Sequence, residues 1–95
     1  MPEIRFSIRW PDGKTELCYS PSLVIKDYLS VGQSYPLPDF LERTSQALRI
    51  ASERVREKYG YSCSLALSQL AQIEAACKLY NDTPDASVRV NGFVE

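Results

Sequence analysis

The chain has 95 residues, with eleven Lys+Arg against twelve Asp+Glu, a formal net charge of -1, 44% hydrophobic residues and no histidine. This length suits one domain with a small core, and the near-balanced charge argues against a nucleic-acid binder that works through bulk charge. Without histidine there are no usual zinc sets, no Ser-His or Cys-His pairs and no common proton shuttle at neutral pH. Cys18, Cys63 and Cys77 are too few and too scattered for a disulfide framework, and pairing would leave one over. Met1-Pro2-Glu3 opens a polar alternation rather than a signal peptide, and no apolar run approaches the ~20 residues of a spanning helix. A cytoplasmic protein with no membrane segment is therefore expected.

Glu3 to Trp10 alternates, with Ile4, Phe6, Ile8 and Trp10 on one side and Glu3, Arg5, Ser7 and Arg9 on the other. That is the pattern of a strand with one buried face. Pro11-Asp12-Gly13 supplies a turn: Pro presets φ, Asp bonds locally and Gly accepts positive φ. Thr15 to Tyr19 returns as a second strand, with Leu17 and Tyr19 alternating against Glu16 and Cys18 and Arg9 within reach of Glu16 across the hairpin.

Ser20 to Leu37 is an irregular, aromatic-containing connection, long for so short a chain. Within it, the β-branched content of Leu23-Val24-Ile25 suggests a short strand. Ser22 could equally cap one or two helical turns ending near Leu29, so both readings stand. Val31-Gly32-Gln33-Ser34 reads as a turn.

Pro38 suits a first helical residue, and Asp39 and Glu42 suit the positive end of a helix dipole. Leu41, Thr44, Leu48, Ala51 and Val55 recur at helical spacing, and Gly60 marks the stop, giving a helix from Pro38 to Tyr59. A second helix starts near Ser62 or Ser64, with Cys63, Ala66, Leu70, Ile73, Cys77 and Tyr80 as its apolar stripe. Asn81 to Asp85 ends it, and the short gap between the helices makes them an antiparallel pair. Ser87 to Val94 reads as a last strand, which either joins the hairpin edge or pairs with a second copy.

The expected fold class is α+β: an N-terminal β-hairpin, an irregular segment, an antiparallel helix pair and a C-terminal strand. A small antiparallel sheet would be covered on one face by the two helices. Residues 1–95 would form a single domain, and a homodimer would be a natural way to cover more of its surface.

Arg9-Trp10-Pro11-Asp12-Gly13 and Cys18-Tyr19-Ser20-Pro21-Ser22, with the later Ala51-Ser52-Glu53-Arg54-Val55-Arg56, Lys58-Tyr59-Gly60 and Cys63, resemble a small bacterial family. These are the nitrogen-starvation response proteins encoded within a conserved nitrilase gene cluster. The likeness runs from Met1 to about Tyr80. It implies a setting, nitrogen scavenging from nitriles or cyanide beside enzymes of the same cluster. It supplies no catalytic residues to carry over.

Read for chemistry, the chain offers little. Cys18 could be a nucleophile, but only Lys14 or Lys26 could lower its pKa locally, and a free Cys is among the most buried residue types. Cys63 and Cys77 read as core, and three scattered thiols without CxxC spacing make no metal site. Lys26-Asp27-Tyr28 cannot converge, because sequence neighbours point to different faces. Arg43, Arg49, Arg54, Arg56 and Lys58 are interleaved with Glu42, Glu53 and Glu57, the pattern of a solvated helix face with Arg49 and Glu53 spaced as an ion pair.

The residues singled out for binding are Tyr19, Ser20, Pro21, Ser22, Tyr28 and Tyr35, around the irregular segment. No catalytic residue, cofactor or metal is assigned. The expected role is a noncatalytic accessory or regulatory protein of nitrogen-starvation metabolism, binding an enzyme from its own gene cluster, itself or a small ligand. The alternative is a small enzyme or enzyme subunit acting on a nitrile-derived intermediate.

Overall fold

A computed structural model describes residues 3–60 and 64–95. The elements are β1 (Ile4–Arg9), β2 (Thr15–Ser20), α1 (Ile25–Tyr28), β3 (Ser34–Pro36), α2 (Leu37–Tyr59), α3 (Ser64–Lys78) and β4 (Ser87–Val94). The four strands form one antiparallel sheet in the order β2-β1-β4-β3. The α+β class, the hairpin, the helix pair and the C-terminal strand are as expected. The last strand joins the hairpin along the free side of β1, which makes β1 and β4 the central strands.

Alternation in β1 follows the sequence pattern: Ile4, Phe6 and Ile8 are fully buried and Trp10 nearly so. In β2 the expected alternation is inverted. Register places Phe6 opposite Cys18 and Ile4 opposite Ser20, and directly opposed residues share a face of the sheet. Cys18 and Ser20 are therefore buried in the core, while Leu17 is 55% exposed on the far face. The same register overturns the Arg9–Glu16 pairing. Arg9 stands opposite Thr15, and the Glu16 carboxylate accepts the Cys18 thiol proton at 3.3 Å on the other face.

The open choice between strand and helix over Ser22–Leu29 falls to helix. Ser22 Oγ accepts the Val24 N–H at 3.3 Å, and α1 is a single turn with only Ile25 buried. Gly32 takes φ 83° in the following turn. The segment then holds a strand that the sequence reading missed: β3 pairs with β4 through Tyr35 opposite Val88. A three-residue strand leaves almost no periodic signal, and Pro36 fits only because β3 is at the sheet edge.

α2 begins at Leu37, one residue before the expected Pro38, and ends at Gly60, whose φ of 82° and N–H bond to Arg56 O form a left-handed cap. Glu53 pairs with Arg56 at 3.7 Å, a closer partner than the expected Arg49. α3 begins at Ser64, so the expectations for Ser62 and Cys63 lie outside the described residues. Both long helices pack on the Ile4-Phe6-Ile8 face, and Phe40, Ala47, Leu48, Leu70 and Ile73 complete the core. Trp10 closes one end, stacked on Tyr80 at 5.8 Å and edge-on to Phe40 at 5.9 Å.

Candidate functional site

The residues expected to bind fall into three places. Ser20, Pro21 and Ser22 are buried in a turn that hydrogen-bonds to itself. Ser20 Oγ donates to Ser22 O at 2.7 Å, and Ser22 Oγ accepts Arg54 Nη1 of α2 at 3.2 Å. This knot joins the hairpin to α2.

Tyr28 and Tyr35 gather around a second joint centred on Arg43. The Arg43 Nε lies 3.0 and 3.1 Å from the two Asp39 carboxylate oxygens. Its Nη1 donates to Tyr28 O at 3.1 Å, and its guanidinium carbon lies 4.9 Å from the centre of the Tyr35 ring. The Tyr35 hydroxyl in turn accepts the Ser30 N–H at 2.8 Å. A planar fork suits such a joint, because one side chain can pair, donate and stack at once.

Tyr19 is the member of the set that reaches the sheet face turned away from the helices. Three transverse rows cross that face, set by register. Thr15, Arg9, Arg89 and Ser34 form one row through all four strands. Leu17, Ser7 and Gly92 form the next, and Tyr19, Arg5 and Val94 the third. Asn91 is skipped in the register, which shifts between Ser7 and Ile8. That bulge keeps Arg89 beside Arg9 while bringing Val94 beside Arg5.

Arg9 and Arg89 are directly opposed, and like charges in that position repel. Both are exposed, and neither has an ion-pair partner among the described residues. The Arg9 guanidinium leans over the hairpin turn, its Nη2 within 3.6 Å of where a Gly13 Cβ would stand. Arg5 lies 5.7 Å from the Tyr19 ring centre and 3.8 Å from Glu3. Apolar surface borders these cations, with Leu17 on β2 and Val94 on β4 both more than half exposed. The face combines guanidinium groups, hydroxyls, one tyrosine and two exposed aliphatics.

Neither described thiol is an activated nucleophile. Burial, and then the Glu16 carboxylate, push the Cys18 thiol far above its ordinary range. Burial, helped by Glu74, pushes the Cys77 thiol up to about 11. Both thiols therefore stay protonated at neutral pH, whereas a nucleophilic Cys requires the opposite shift. No group of three or more metal-ligating side chains occurs among the described residues. A cavity of about 270 Å³ lies where α2 begins, lined by Pro36, Leu37, Pro38, Tyr80, Thr83 and Asp85, with Asp85 at φ 55°. It brings together none of the residues expected to bind.

Sequence reading missed Arg5, Arg9 and Arg89 because two of them alternate along β1 as any solvated face would, and the third is eighty residues away. The available signal was the pairing of β1 with β4, which no local pattern specifies.

The fold is that of a small α+β protein with a two-faced antiparallel sheet, one face under helices and the other open and basic. The chain belongs to the family described as nitrogen starvation-induced protein NitG, whose model matches residues 5–93. No curated protein and no solved structure matched the chain.

Proposed function

We propose that this protein is a noncatalytic accessory protein of nitrogen-starvation metabolism that binds an acidic, partly apolar segment of an enzyme through the open sheet face. Family membership supports the nitrogen-starvation setting. Scavenging of nitrogen from nitriles or cyanide, with an enzyme of the nitrilase gene cluster as partner and a cytoplasmic location, belongs to the same proposal.

The observation that carries the reading is the opposed Arg9–Arg89 pair, without an ion-pair partner among the described residues and flanked by Thr15, Ser34, Leu17 and Tyr19. Carboxylates laid across this row would form charge-assisted, bidentate contacts. Leu17, Val94 and Tyr19 would cover the apolar part of the partner. Arginine and tyrosine at the centre of a surface are enriched where partners bind. Of the residues expected to bind, Tyr19 contributes directly, and the Ser20-Pro21-Ser22 knot sets where β2 ends and therefore where Tyr19 lies. A version of the enzyme reading that runs through Cys18 finds no support in a buried, protonated thiol.

The test is affinity capture from nitrogen-starved cells with the native chain and the Arg9→Glu, Arg89→Glu variant as parallel baits. An enzyme of the gene cluster is expected on the native bait and depleted at least ~10-fold on the variant. Equal recovery on both baits would remove the sheet face from the function.

A further inference from the structure

We propose that the outward face of α3 is the contact between two copies of this chain, packed as antiparallel helices about a two-fold axis near Gln72. This contact is separate from the sheet face and does not depend on the reading above.

The observation is a helix whose solvent side carries a single exposed charge, Lys78. α2 turns Glu42, Arg49, Glu53, Arg56 and Glu57 to solvent, as a helix on a globular surface does. α3 exposes Leu65, Leu67, Ser68, Ala71, Gln72 and Ala75 instead, with Lys78 as the one charge among them. Its charged residues are the half-buried Glu74 and the exposed Lys78, and Lys78 falls on the Ala71 stripe, to one side of the seam described below. Leu65 is 62% and Leu79 79% exposed. A helix that is uncharged around most of its circumference belongs in an interior. The sheet and α2 fill one side of it, and the other side is open.

The pattern of that open side identifies the occupant. Leu65, Ser68, Gln72, Ala75 and Leu79 follow one another at intervals of three and four, the seam of a two-helix contact. Leu79 belongs to it because the turn after α3 keeps the helical sense, with its N–H bonded to Ala76 O at 3.1 Å. In size the seam reads large, small, polar, small, large, the same in either direction.

An antiparallel second copy centred on Gln72 therefore sets Leu65 against Leu79 of the partner subunit. It also lets the two helices approach closely over Ser68 and Ala75. A two-fold contact needs a surface that is its own complement, and a palindromic seam without charge meets that need. The seam is about 22 Å long at 1.5 Å per residue, which on its own buries less than the ~1,600 Å² of a standard interface. The dimer is accordingly concentration-dependent.

Sedimentation equilibrium from low micromolar to near-millimolar protein tests the assembly. The native chain is expected to rise from one protomer mass toward two, and Leu65→Lys and Leu79→Lys to stay at one. Both substitutions are at exposed positions, and unchanged circular dichroism will show that the fold is retained. Gln72→Cys is expected to form a disulfide-linked dimer on mild oxidation, well above the level of the native chain and of Glu57→Cys on the outward face of α2. Protomer mass at every concentration would overturn the proposal. So would a dimer that survives both leucine substitutions, cross-linking no better at position 72 than at 57, or a dimer broken by Leu17→Lys instead.

Discussion

Arg43 shows why the aromatic segment looked like a site in the sequence. Its guanidinium pairs with Asp39, donates to Tyr28 O and stacks on Tyr35, so aromatic residues gathered around an irregular segment also serve as its anchorage. Lysine cannot reproduce a bidentate pair, a carbonyl bond and a stack together. Arg43→Ala is expected to cost about 1–2 kcal/mol in chemical unfolding, and Arg43→Lys to recover little of it. Full recovery by lysine would show that only the charge matters.

The two buried thiols make a second prediction at this scale. The Cys77 value rises from an ordinary 9.0 to about 11 in the folded chain, and Cys18 moves further in the same direction. A group whose value is raised by folding supplies stability that is fully present below its unfolded value and lost as pH climbs through the folded one. Stability should therefore fall between pH 9 and 11, and fall less steeply in the Cys18→Ala, Cys77→Ala variant. Parallel profiles for the two proteins would contradict the burial of the thiols.

Among the elements, the hairpin and the two long helices were legible because their signals are local: a Pro-Asp-Gly turn, a three-four apolar stripe, a glycine stop. The facing of β2 was not legible. Its sequence alternates Glu16, Leu17, Cys18 and Tyr19, and on hydrophobicity alone Leu17 belongs inside. The turn fixes register, and register put the smaller Cys18 and Ser20 under the helices. Phe6 and Ile4, fully buried, are the large members of those rows, and small side chains stand opposite them.

The outer edge of β2 is closed by a device that sequence cannot reveal: the Gln69 side-chain oxygen accepts the Tyr19 N–H at 3.0 Å. Covering an edge in this way discourages further strand pairing. Gln69→Ala is expected to cost about 1 kcal/mol and to speed hydrogen exchange at the Tyr19 amide. An unchanged exchange rate would mean that the bond is not maintained in solution.

At the scale of the whole molecule, one sheet separates two kinds of surface. The helix-covered side holds the core and most of the residues that attracted notice in the sequence. The open side carries Arg5, Arg9 and Arg89, none of which was singled out for binding. A sequence shows how often a residue type recurs along a strand, but not which distant strand will lie alongside. Arg9 and Arg89 became neighbours only through the β1–β4 pairing, and with them the balanced net charge of -1 resolved into a face with a local positive excess.

That opposed pair is the centre of the proposed function, and its most direct test is a binding titration with the purified enzyme recovered by affinity capture. The native chain, Arg9→Glu, Arg89→Glu and the double variant are compared at low and raised salt. Affinity is expected to fall stepwise with each reversal, with most of the salt dependence lost in the double variant. Unchanged affinity and an unchanged salt response in the double variant would contradict a carboxylate-bearing partner on the open sheet face.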